Sequence, residues 1–210
     1  ELDLPAFPQV VRRLQIALVS DRTTIKDIVG IISSEPVLSA RFMQMANSAA
    51  MNPGGTPVAS LNNAVNRLGF NLVRTVATAF ALRQLSRDSS LGAIRPDLEQ
   101  VWKTSNEVAA ICYAVAKQAF GRQPDEAMMA GLLHSIGRLY ILMHAHQNDP
   151  TMRQDPAFAE TLETWQPIIG KAILEAWGLP RRICDAVENQ DYLLEGGSAD
   201  LDPLTRLLSA

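Results

Sequence analysis

The chain has 210 residues, 47% of them hydrophobic and 20% charged, and a net charge of −3. That balance fits a folded globular protein rather than a disordered one, and no apolar run reaches the roughly 20 residues that span a bilayer. Lys and Arg are scattered, Arg12-Arg13 and Arg181-Arg182 being the tightest pairs, so the clustered phosphate contacts of a nucleic-acid interface are not expected.

Helical periodicity dominates. Phe7, Val10, Val11, Leu14 and Leu18 form a first stripe. Thr23 or Thr24 can cap a second helix through Ile25, Ile28, Val29 and Ile32. A third opens around Ser34-Glu35-Pro36 and carries Leu38, Phe42 and Met45. Residues 52–57, with Pro53, Gly54, Gly55 and Pro57, read as a loop. Ser60 caps Leu61 to Leu68, Gly69 stops that helix, and Asn71 starts an apolar one to about Leu85.

Residues 86–96 lack apolar periodicity and read as a linker. A long helix follows from Asp97 to Phe120, closed by Gly121, and another from Pro124 to about His144. Phe158 to Trp165, Pro167 to Trp177, Pro180 to Gln190 and a last piece after Asp202-Pro203 complete the pattern. The fold class expected is all-α, in two helical lobes: residues 1–90 and residues 91–210.

His134 sits beside the apolar stripe of Met129, Leu132, Leu133, Ile136, Tyr140 and Met143, with Gly131 and Gly137 placed to let another helix approach. A lone histidine in such a place is usually a satisfied core residue. A hydrolytic metal site needs several converging ligands, commonly with a carboxylate, and the neighbour here is the neutral Ser135. Asp125 and Glu126 suit the helix N-terminus. His144 and His146, spaced by two, point to different helix faces. Asp185 and Glu188 could pair as acid and base, but a solvated helix face explains them better. Cys112 and Cys184 make neither a disulfide framework nor a zinc spacing and read as inert buried thiols of a reducing cytosol. Residues 60–80 have a helix-glycine-helix look, yet the second helix is too apolar for a DNA groove. Trp102, Trp165 and Trp177 are expected as core anchors. The opening Glu1-Leu2-Asp3-Leu4-Pro5 is no signal peptide, and a start on Glu rather than Met suggests a trimmed piece.

Several segments together resemble the HDOD family, non-hydrolytic relatives of the HD metal-dependent phosphohydrolases. They are Leu4-Pro5-Ala6-Phe7-Pro8, Ser34-Glu35-Pro36-Val37-Leu38, Ala46-Asn47-Ser48-Ala49, Gly131-Leu132-Leu133-His134-Ser135-Ile136-Gly137 and Trp177-Gly178-Leu179-Pro180. The resemblance implies an HD-like helical bundle in the second lobe and a degenerate metal site. Ser135 stands where catalytic relatives have Asp; Thr104, Gln166 and Asn189 (beside Gln190) stand where relatives often have His. It predicts that His134, Ser135, Thr104, Gln166 and Asn189 gather, linked by hydrogen bonds or water. A carboxylate put back at Ser135 is then expected to be a charge in an unprepared site. The function implied is a non-catalytic, cytoplasmic signal-transduction module of bacteria, with a protein partner or a small ligand, no metal, no cofactor and no membrane. The alternatives are a residual metal-dependent phosphohydrolase and a nucleotide- or nucleic-acid-binding regulator.

Overall fold

A computed structural model describes residues 9–20, 22–85, 89–120, 124–191 and 202–209. Those residues contain helices and no strand, and the chain divides into two compact units, Glu1–Leu85 and Ser86–Ala210.

In the first unit, α1 (Gln9–Val19) buries Val10, Val11 and Leu14. α2 (Ile25–Ser33) starts at Thr24, whose side chain accepts from Asp27 N–H while the Asp27 carboxylate accepts from Thr24 N–H at 2.9 Å. This reciprocal cap satisfies two main-chain donors that a helix start leaves over. α3 (Pro36–Ala46) uses Pro36 in its first turn and buries Leu38, Phe42 and Ala46. The Asn47 amide then holds both the N–H and the carbonyl of Val58, pinning the loop between α3 and α4 (Leu61–Leu85). Gly69 breaks α4 with φ +74°, a conformation few side chains tolerate. Beyond it Leu72, Val73, Val76 and Ala77 are buried, and the Thr75 and Thr78 hydroxyls donate to carbonyls one turn back. The apolar half of this helix pair is core, as its composition predicts.

The second unit departs from the sequence expectation in five places. Ser89–Ile94 is a short 3-10 helix that buries Leu91 and Ile94, so this part of the expected linker belongs to the core. Two apolar side chains three residues apart suffice for one anchored turn, too short a signal to show as periodicity. α5 (Arg95–Val115) continues into a π-type turn, Ala116–Phe120; the expected stop at Gly121 lies outside the described residues. The helix expected to run to His144 is two: α6 (Pro124–Leu133) and α7 (Ile136–Asn148), with His134-Ser135 as the elbow. Conversely, α8 (Phe158–Ala176) continues past Pro167 as one helix. Proline costs that helix one hydrogen bond, but Leu162, Gly170, Ile173 and Leu174 on the same side are all buried and hold the halves in line. α9 (Arg181–Glu188) and α10 (Pro203–Leu208) complete the unit. α5 packs on α6, α7 on α8, α8 on α9, and α10 on α9 and α6. Trp165, expected in the core, is 50% exposed.

Candidate site at the elbow between α6 and α7

The elbow exists because α6 and α7 pack on different helices. A side chain at Gly131 would place its Cβ 2.9 Å from Ala109 Cα and 3.0 Å from Cys112 Sγ on α5. At Gly137 it would fall 1.9 Å from the Gln166 carbonyl and 2.7 Å from Gly170 N on α8. Two glycines six residues apart thus let two backbones close in, and the turn between them carries His134 and Ser135.

His134 is half-buried and caps the helix it ends. Its Nδ1–H donates to the Gly131 carbonyl at 2.7 Å, one of the oxygens a helix C-terminus leaves unpaired. The carbonyl partner fixes the tautomer, leaving Nε2 as acceptor. Burial lowers the imidazole pKa from its ordinary 6.5, opposed by the Gly131 carbonyl and the Asp191 carboxylate. The His134 main-chain oxygen accepts from Gln190 Nε2 at 3.2 Å. Gln190 is 6% exposed. In turn the Asn189 carbonyl accepts from Ser209 Oγ at 3.1 Å, tying α10 to the end of α9 beside the elbow.

All five residues expected here lie in the second unit, on α5, the elbow, α8 and the end of α9. Their hydrogen bonds, however, are local. Thr104 Oγ1 accepts from Gln100 Nε2 at 3.3 Å. Gln166 Nε2 donates to Glu163 Oε2 at 3.0 Å, and Glu163 also holds Arg138. Asn189 Nδ2 donates to the Asp185 carbonyl at 2.8 Å. Ser135 is the N-cap of α7, with no capping bond from its side chain. Among the described residues no hydrogen bond joins any two of these five side chains. The polar group that does reach the elbow is Gln190, the second member of the Asn189-Gln190 pair. Its signal was its place at the end of a helix with a strongly apolar buried face, where a glutamine has to find a partner.

These residues do not fit a divalent cation. Among the described residues no three His, Cys, Asp or Glu side chains are grouped to hold one. His134 offers one nitrogen, and Ser135, Thr104, Gln166 and Asn189 are neutral. His144, far along α7, stacks on Tyr140 with ring centroids 5.5 Å apart. Asp185 and Glu188 are bridged by Lys171 Nζ at 3.1 and 2.5 Å and form an ion-pair cluster, not an acid–base pair. The thiols are unreactive: burial pushes Cys112 up to about 11 and also raises Cys184.

The sequence matches the HDOD domain over residues 4–193. A Treponema pallidum (strain Nichols) protein, itself uncharacterized, is 22% identical over 204 residues, covering 88% of this chain and 37% of that protein. The chain therefore spans little more than a third of that curated relative. Among solved structures, a Shewanella amazonensis SB2B protein provisionally named a metal-dependent phosphohydrolase superposes with a TM-score of 0.82 at 28% identity, covering 98% of this chain and 74% of its own. An HDOD domain protein of unknown function from Geobacter sulfurreducens gives 0.65 at 22% identity, covering 99% and 71%.

Proposed function

The chain belongs to the HDOD domain family, and on that premise we propose that it is a non-catalytic regulatory module of bacterial signal transduction that works by binding a protein or a small ligand. The observation that carries the reading is the state of His134. With Nδ1 capping its own helix it offers Nε2 alone, its neighbour is a neutral serine that adds no charge, and Gln190 holds its carbonyl. A metal-activated water and a counter-charge for phosphoryl oxygens both need ligands that this elbow lacks. What the elbow does offer is a joint: a hydrogen-bonded bend between helices seated on different partners, whose geometry a bound molecule can bias. No helix among the described residues is long and apolar enough to cross a membrane, and a cytoplasmic location goes with this reading.

The second reading, a residual metal-dependent phosphohydrolase, is favoured by the provisional name of the Shewanella structure at 28% identity. The two separate cleanly. Purified protein is assayed on phosphate mono- and diesters, including cyclic dinucleotides, with and without Mn²⁺ or Mg²⁺. No turnover and no metal-dependent rise in melting temperature are expected. A bound ion at a hundredfold over its dissociation constant would stabilise the fold by roughly 2.7 kcal/mol. Turnover that disappears in His134→Ala would establish the second reading and overturn the first.

A further inference from the structure

The two units differ in charge. Residues 1–85 hold eight Lys and Arg against five Asp and Glu; residues 86–210 hold eleven against seventeen. Half of the first unit's cations fall within residues 12–26, as Arg12, Arg13, Arg22 and Lys26, and all four side chains are exposed. Among the described residues none of the four makes an ion pair. By sequence the stretch holds one acid, Asp21; Asp27, just beyond it, is occupied by Thr24, whose N–H and hydroxyl both donate to it.

The same stretch carries the two most exposed large apolar side chains described, Val19 at 77% and Ile16 at 68%. Arg12 lies one turn before Ile16, Arg13 three residues before it, and Val19 three residues after. Neighbours at three and four residues share a helix face, and this face is opposite Val10, Val11 and Leu14, which are buried. Arg22 stands in the turn after α1 and Lys26 in the first turn of α2. An aliphatic pair is thus bracketed by cations at both ends.

We propose that this face of α1 docks an acidic amphipathic helix of a partner protein. From Arg12 to Val19 the face is about 10 Å long at 1.5 Å per residue, the span over which a partner helix repeats its anchors at i, i+3 or i+4, and i+7. Carboxylates on that partner's flanks meet Arg12 and Arg13 at one end and Arg22 and Lys26 at the other, which sets orientation and speeds encounter. An anionic membrane fits worse: the apolar stripe of α1 is already spent on the core, and the outer face has no aromatic to insert. Single-stranded nucleic acid fits worse as well, since no aromatic side chain offers a stacking platform on this face. The surface lies in the first unit and the His134 elbow in the second, so hydrolysis found or not found at the elbow leaves this proposal standing.

The test uses the intact chain against a display library of short helical segments that covers a range of net charge. Wild type enriches acidic amphipathic segments. Ile16→Asp and the double change Arg12→Glu with Arg13→Glu each weaken the enriched segment by about tenfold or more, as loss of an interface anchor does, and added salt weakens it too. These positions are exposed, so circular dichroism and the denaturation midpoint stay as in wild type; Val19→Lys serves as the third variant if one of the others misfolds. Enrichment without regard to charge, no enrichment at all, or affinity indifferent to all the substitutions overturns the proposal. So does binding to phosphatidylglycerol vesicles or single-stranded DNA in place of the peptides, or a wild-type dimer that Ile16→Asp dissolves.

Discussion

Gln190 Nε2 donates to the main-chain oxygen of His134 at 3.2 Å, joining the second residue after α9 to the elbow 56 positions earlier. Gln190 is nearly buried and packs over the His134 carbonyl it holds. Gln190→Leu fills similar space and removes the donor. An unsatisfied buried acceptor costs about 1–3 kcal/mol, and the urea midpoint of the variant should fall accordingly. An unchanged midpoint would mean that this bond contributes nothing.

Gly137→Ala and Gly30→Ala should move stability in opposite directions. At 137 the new Cβ falls on the Gln166 carbonyl and Gly170 N, main-chain atoms that cannot rotate away. The loss should reach or exceed the upper end of the roughly 1–3 kcal/mol of overpacking. Gly30, inside α2, has nothing within 4 Å of the new atom, and there alanine should stabilise by about 0.4–1 kcal/mol. Thermal melts of both variants beside wild type decide it.

The His134 imidazole should make stability fall at mildly acidic pH. Burial lowers its folded-state pKa below the ordinary 6.5, so below 6.5 the unfolded chain binds the proton more readily than the folded one. Its contribution is complete above 6.5 and is lost as pH falls towards the lowered value. Urea midpoints at neutral pH and about one unit below 6.5 should drop more in wild type than in His134→Gln. Equal drops would remove His134 as the cause.

Ser135→Asp should be close to neutral or slightly stabilising at neutral pH. The residue is the N-cap of α7 and half-exposed, not inside a helix, so a charge there keeps access to water. A carboxylate there faces the positive end of the helix dipole, worth about 0.3–1 kcal/mol, and can cap the first turn. The gain should disappear as the carboxylate is protonated, and the variant should still show no Mn²⁺-dependent rise in melting temperature, because one carboxylate and one imidazole nitrogen are too few ligands.

Much of the fold is readable from local chemistry. Thr24 with Asp27, Pro36 at a first turn, Gly69 between two helices and Asp202 before Pro203 each act within four residues of themselves, so their sequence signal is complete. The misread elements are those where distant packing overrides the local rule. Pro167 continues a helix because buried side chains on both sides of it share one face. Trp165 is half exposed although it follows the buried Leu162 by three residues and Phe158 by seven, so its place in the stripe did not decide its burial.

The elbow shows the same division. That His134 has a neutral neighbour, and that the chain has only two further histidines, His144 and His146, is a matter of residue identity and is read from the sequence alone. Where the chain bends there, and whom His134 meets, is not. The bend follows from Gly131 closing on α5 and Gly137 on α8, contacts at least 19 and 29 positions away along the chain. The partner of His134 turned out to be its own helix end and Gln190, while Thr104, Gln166 and Asn189 bond along their own helices. Residue types determine what a site can hold; only the packing of helices far apart in sequence determines which of those groups face one another, because a helix's register against its neighbours is set by backbone approach and burial that no local pattern encodes.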